Sequence, residues 1–156
     1  MRALIACVAL AFAGCVQPMQ HTTLPLLARD RAAPGPALLE HALADFFTGP
    51  GPGTREDPPT VCVELSPGGL QPSDEEALMA RFPRLAPRDR CQLDERWTDR
   101  ITGERAVLLQ AYSFACADAD HCTGWINARR RPATRWTMVW QDGAWQFASD
   151  RRMVAE

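Results

Sequence analysis

The chain has 156 residues, with 17 basic and 19 acidic side chains and a formal net charge of −2 at pH 7. A nearly balanced charge does not favour non-specific attraction to phosphate backbones, so no nucleic-acid partner is expected. The length fits one domain with a single hydrophobic core.

The N-terminus has the pattern of a secretory signal. Arg2 is followed by an apolar run from Ala3 to Ala13. This run is too short for a membrane-spanning helix of about 20 residues, but it suits the apolar core of a signal peptide. The sequence therefore predicts export from the cytoplasm.

Two cleavage sites fit this signal. Ala11-Phe12-Ala13 satisfies the small-x-small rule for a cut before Gly14. The run Phe12-Ala13-Gly14-Cys15 resembles the bacterial lipoprotein signature, in which small residues precede a cysteine that carries diacylglycerol on its thiol. This resemblance implies a signal peptide over 1–14, lipidation of Cys15 and a bacterial envelope. Val16 follows, where Asp is the usual inner-membrane retention signal, so the outer membrane facing the periplasm is expected. The alternative is a secreted or soluble periplasmic protein.

The cysteine count favours the lipoprotein interpretation. Cys7 leaves with the signal under either cut. A cut before Gly14 leaves an odd number of thiols in an oxidising compartment, whereas lipidation of Cys15 leaves an even number that can pair. The remaining cysteines are Cys62, Cys91, Cys116 and Cys122.

The next segments predict a tether and two helices. Prolines between 15 and 35 indicate a flexible, lipidated N-terminal tether, and a single α+β domain is expected over 36–156. Apolar residues at three- and four-residue spacing predict a helix from Pro36 that ends before Gly49. A second short helix is expected over 74–82, with Ser73 as its N-cap and Glu76 completing a capping box.

The second half of the chain is predicted to consist mainly of strands. A first strand at 61–65 lies between the helices, and 84–90 is expected to be irregular. Strands follow at 91–97, 105–116, 122–130, 135–140 and 144–153. The strand at 105–116 is apolar on both faces, which indicates that both of its faces are covered.

The last hairpin can be assigned a register. Asp142-Gly143 is a strong signal for a two-residue type I′ turn, which places Trp140 opposite Trp145. Continuing outward, Met138 faces Phe147, and the opposite sheet face is polar.

The segment 116–122 contains two cysteines, two aspartates and His121. It admits a zinc site, but a disulfide between Cys116 and Cys122 across a β-hairpin is favoured in an exported protein, and no metal is expected. Cys62 and Cys91 then pair by elimination, although four cysteines allow three connectivities.

These elements predict an α+β fold with two helices packed on one face of a curved antiparallel sheet of about five to six strands. Their order resembles that of the nuclear transport factor two and ketosteroid isomerase superfamily, or of cystatin-like folds. Such folds include isomerases, dehydratases and binding modules, so the resemblance does not choose a function. In an isomerase-like site, Tyr112 would be an oxyanion donor and Asp94 or Asp99 a base.

The candidate binding residues are aromatic or basic. Tyr112 and the five tryptophans could line a cavity, while core packing is the alternative. A group of arginines around two prolines could bind phosphate or carboxylate groups, or form a solvated face paired with acidic neighbours. This group contains Arg81, Arg84, Arg88 and Arg90, and 129–131 is a second basic run.

No catalytic residue and no cofactor are assigned, because none of His21, His41 and His121 is well placed for a catalytic triad. The leading hypothesis is an envelope-anchored interaction or structural module that binds a protein of the envelope. The alternative is a small-molecule or lipid-binding domain with a cavity between helices and sheet. An isomerase- or dehydratase-like enzyme is the third hypothesis.

Overall fold

The computed structural model describes residues 26–50, 52–54, 57–128 and 132–155, with backbone alone for 151–155. The predicted signal over 1–14, Cys15 and the basic run 129–131 lie outside these residues. Within the described part, the helices are α1 (Pro34–Thr48) and α2 (Pro72–Arg81), and a short 3₁₀ helix spans Leu27–Arg29. The strands are β1 (Thr60–Leu65), β2 (Leu85–Ala86), β3 (Cys91–Leu93), β4 (Trp97–Asp99), β5 (Ala106–Cys116), β6 (His121–Ala128), β7 (Ala133–Gln141) and β8 (Ala144–Ala155).

The main sheet has six strands in the order β2-β1-β5-β6-β7-β8, and β3 and β4 form a separate small sheet. This confirms an α+β fold with a sheet of about six strands. The sheet is mixed, however, so the expectation of an antiparallel sheet is wrong at one end. There, β1 runs parallel to both β2 and β5. The cause is that β1 reaches β2 through α2 and reaches β5 through the longer segment 66–105, and such crossovers join parallel strands.

Both helices contribute to one core on one face of this sheet. Leu38, Leu39 and Leu43 of α1 and Leu78 of α2 are fully buried. They pack with sheet residues such as Met138, at the centre of β7. The apolar stripe predicted for the first helix is therefore the face that covers the sheet, although the helix begins at Pro34.

The small sheet covers part of the opposite face. Cys62 and Leu108 of the main sheet are buried there with Cys91 of β3, and Trp97 of β4 packs against them. A disulfide joins Cys62 to Cys91 and holds β3 on the main sheet. This double cover explains why β5 is apolar on both faces over its first half.

The β7–β8 hairpin has the predicted register. Trp140 pairs with Trp145 and Met138 with Phe147. The turn residue Asp142 has φ of 54°, as a type I′ turn requires, and the following glycine has φ of 74°. The two indole rings lie edge to face with centroids 5.4 Å apart. The aromatic face of the hairpin packs into the helix-covered core.

Three local predictions differ from the structure. The helix α2 begins at Pro72, because proline at the first helical position has a suitable φ and needs no N–H partner. Its N-cap is Gln71, whose side chain makes no capping hydrogen bond. Ser73 is therefore inside the helix. The predicted strand 91–97 divides into the β3–β4 hairpin, and the segment 84–90 contains the edge strand β2.

The described part of the predicted tether is packed on the domain. Leu27 is buried, and the Trp145 indole N–H donates to the Asp30 carbonyl at 3.0 Å. Arg31 pairs with Asp120 at 2.6 Å across the domain surface. Residues 26–33 thus belong structurally to the domain that was predicted to begin at 36.

Candidate functional site

A cavity of about 350 Å³ lies beside the edge strand β8, between α1, the end of α2 and the segment before α1. This volume is within the range of small-molecule sites. Most of the lining is apolar, and three of the lining side chains carry polar groups. The lining residues are Leu26, Ala28, Glu40, His41, Ala44, Arg81, Phe82 and Phe147.

The first polar feature is an ion pair between a buried carboxylate and a partly exposed guanidinium. Glu40 projects from α1 and is 6% exposed, and its Oε1 lies 2.7 Å from Nη1 of Arg81 at the end of α2. The other carboxylate oxygen accepts the backbone N–H of Ala28 at 3.0 Å. The Glu40 side chain therefore connects α1 with α2 and with the segment before α1.

The second polar feature is the imidazole of His41. Its ring stacks on Phe147 with centroids 4.2 Å apart and an interplanar angle of 2°, and it meets the edge of Trp136 at 4.6 Å. Burial lowers the pKa of His41 below its usual value, against a smaller opposing effect of Asp45. The ring is therefore uncharged at neutral pH. Nε2 is 3.9 Å from the Asp45 carboxylate, which is too far for a hydrogen bond.

These groups leave polar atoms without hydrogen bonds. Three buried side-chain atoms have no hydrogen-bond partner: Glu40 Oε1, Arg81 Nη1 and His41 Nε2. Every other buried side-chain nitrogen or oxygen in the described part of the chain has one. The close approach of Arg81 to Glu40 is thus an ion pair that lacks the angles of a hydrogen bond. Glu40 Oε1 and Arg81 Nη1 thus balance one another at 2.7 Å, and His41 Nε2 has the Asp45 carboxylate at 3.9 Å.

The arginines predicted as candidate ligand-binding residues are already paired. Each guanidinium group contacts a carboxylate, so the three do not form one anion site. The pairs are Arg84–Asp57 at 2.9 Å, Arg88–Glu64 at 2.8 Å and Arg90–Asp99 at 2.7 Å. Arg88 also lies 5.2 Å from the ring centroid of Trp97.

Tyr112 does not line the cavity. It lies on the sheet face away from the helices, half-buried, and stacks on Trp125 with centroids 6.4 Å apart. The aromatic lining of this cavity is supplied instead by Phe82 and Phe147. Asp99 is fully buried, and its carboxylate is bound by Arg90 and other donors, so it does not have the environment of a free catalytic base.

The Cys116–Cys122 segment is a disulfide-linked β-hairpin, as favoured from the sequence. At its tip the Asp118 carboxylate lies 2.9 Å from His121 Nδ1, and both side chains are exposed. The described residues contain no group of three or more side chains arranged to bind a metal ion.

The sequence analysis missed the cavity residues. Glu40 has apolar neighbours one turn away in both directions, Ala37 and Leu43, and this is the signal of a carboxylate on a buried helix face. No role is predicted for His41 from the sequence, because none of the three histidines is well placed for a catalytic triad. Arg81 was grouped with arginines that the structure places elsewhere. Comparison with protein-family models, curated proteins and solved structures finds no match to this chain.

Proposed function

We propose that this chain is an envelope-anchored binding domain that holds a small, largely apolar molecule in the cavity between α1, α2 and β8. The observation that carries this proposal is the presence of three polar side chains, Glu40, His41 and Arg81, among the residues that line the cavity. They converge on one cavity whose other lining residues are apolar. Binding sites typically combine an apolar lining with a few placed polar groups.

The anchor in this proposal is a lipid on Cys15. In the described residues no helix has the length and apolar character needed to span a bilayer. The two disulfides are compatible with an oxidising compartment such as the periplasm. Leu26, which lines the cavity, is eleven positions after Cys15, so the tether keeps the site within about 40 Å of the attachment point.

Replacing Cys15 with Ala should release the protein from membranes, because the thiol that carries the lipid is removed. The measurement is fractionation of cells that express the full chain, with detection in membrane and soluble fractions. Cys7→Ala is the matched control and should leave the protein membrane-bound, since Cys7 belongs to the removed signal. Continued membrane association of Cys15→Ala would contradict the anchor.

Filling the cavity should displace its occupant. Ala44 lines the cavity, and Ala44→Leu adds three carbon atoms there without removing a polar group. Native mass spectrometry of the purified full chain should detect a bound small molecule in the wild type, and at least about tenfold less of it in the variant. Ala80→Leu adds the same atoms at an exposed position of α2 and should retain the molecule. Equal occupancy in both variants would contradict the assignment of the site.

An interaction module is the second candidate. Its supporting observation is the stacked pair Tyr112–Trp125, half-buried on the face of the main sheet opposite the helices. If native mass spectrometry detects no small molecule on the wild-type chain, this face becomes the better candidate, with a protein of the envelope as its partner.

A further inference from the structure

We propose that the cavity selects an uncharged amphiphile: a molecule with an apolar body and a hydroxyl or amide head. This inference rests on the proposed binding function and names the chemical class of its ligand. The polar end of the ligand would meet Glu40, His41 and Arg81. The apolar body would lie against the remaining lining, which includes Leu26, Phe82 and Phe147.

The charges of the site argue against an ionic ligand. The carboxylate of Glu40 and the guanidinium of Arg81 lie 2.7 Å apart and balance one another. The imidazole of His41, enclosed by two aromatic rings, adds no charge at neutral pH. A charged head would meet a pair that is already balanced, and burial of an unpaired charge is strongly unfavourable. The Asp45 carboxylate, 3.9 Å from His41 Nε2, is exposed to solvent and therefore contributes little as a counter-ion.

The hydrogen-bonding groups specify the head further. The carboxylate of Glu40 can only accept, the guanidinium of Arg81 can only donate, and the neutral imidazole of His41 has one donor and one acceptor nitrogen. A hydroxyl both donates and accepts, and an amide offers the same two functions. A carboxylate can only accept and an ammonium group can only donate, so each would leave part of the wall unsatisfied.

The test compares three monomeric probes with the same alkyl chain and different heads: octanol, octanoate and octylammonium. Binding to the purified full chain is measured by isothermal titration calorimetry at neutral pH, after removal of any passenger. Octanol should bind at least about tenfold more tightly than either ion. Equal or tighter binding of octanoate or octylammonium would overturn the ligand class.

A variant that removes the carboxylate charge of Glu40 gives a second test with the same three probes. Glu40→Gln leaves Arg81 without its counter-ion. The ratio of the affinity for octanoate to the affinity for octanol should therefore rise by about tenfold or more. Glu76→Gln removes the same charge from an exposed position of α2 and should keep the wild-type ranking. An unchanged ranking in Glu40→Gln would also contradict the proposal, because selection would then not depend on the balanced pair.

The outcomes separate this inference from the proposed function. A co-purifying passenger that is released by Ala44→Leu but carries a charged head would overturn the class while leaving the binding function intact. An uncharged alcohol or amide would support the class, and organic extraction would show whether its apolar body is a membrane acyl chain or a soluble compound. Absence of both a passenger and probe binding would reject the binding function itself.

Discussion

Replacement of Asp99 with Asn is expected to lower the free energy of unfolding by about 2–4 kcal/mol at neutral pH, because it removes a buried charge partner. The carboxylate has no solvent exposure and accepts two hydrogen bonds from Arg90, at 2.8 and 2.7 Å. It also accepts the Thr60 hydroxyl at 2.9 Å and the Ile101 N–H at 2.9 Å. The neutral amide cannot accept all these bonds and leaves Arg90 without its counter-ion. Urea unfolding followed by circular dichroism measures the difference.

The effect of this substitution should depend on pH. Hydrogen bonds from Arg90, supported by Ile101 and Thr60 against the opposing effect of burial, hold the pKa of Asp99 well below its usual range. A lowered pKa in the folded state stabilises the fold above the unfolded-state value of about 4, and this stabilisation is lost as the pH falls below that value. The difference in unfolding free energy between wild type and Asp99→Asn should therefore be constant from pH 7 to about 5 and decrease towards pH 2.

Asp89→Asn is the matched control for this measurement. Asp89 is exposed and lies in the same segment as Arg90. Its substitution should change the unfolding free energy by less than about 0.5 kcal/mol. If Asp99→Asn is as stable as this control, or if its difference in unfolding free energy from wild type increases on acidification, Asp99 does not hold the β3–β4 sheet to β1.

Features determined by neighbouring residues could be predicted from the sequence. The β7–β8 register follows from Asp142-Gly143, because a two-residue turn leaves one pairing for every residue beyond it. The coverage of β5 on both faces follows from its composition. The hairpin between Cys116 and Cys122 follows from their short separation and the strands on both sides.

The arrangement of β1 could not be predicted in the same way. Its pairing with β5 joins Thr60 to Ala106, and no turn connects these strands directly. The bond from Thr60 to Asp99 also joins residues far apart in sequence and depends on the small sheet packing on the main one. Arg90 was expected to be a possible ligand-binding residue because sequence alone does not show which carboxylate a guanidinium will meet.

The residues of the candidate site could be predicted from the sequence even less well. Its polar wall combines neighbouring positions of α1 with Arg81 from a helix that follows β1. Only Glu40 has a local signal, as an acidic residue on an apolar helix face. The rest depends on how the ends of α1 and α2 meet β8, which is a property of tertiary packing.

Breaking the Glu40–Arg81 pair should destabilise the protein more than removing it completely. Arg81→Met leaves the Glu40 carboxylate buried without its cation, and we expect a loss of about 2–4 kcal/mol in unfolding free energy. The double variant Glu40→Leu/Arg81→Met replaces both charges with apolar side chains of similar size. It should recover to within about 1 kcal/mol of wild type, with the Ala28 N–H as the main remaining loss. A double-mutant cycle from urea unfolding measures the coupling.

Arg84→Met is the control for loss of an arginine, because Arg84 pairs with Asp57 at the exposed surface and should contribute less than about 1 kcal/mol. The same double variant separates stability from binding. If the buried pair serves the ligand, the recovered protein should fold like wild type and still lose binding of octanol by about tenfold or more. A double variant that binds octanol as tightly as wild type would show that the pair is dispensable for recognition.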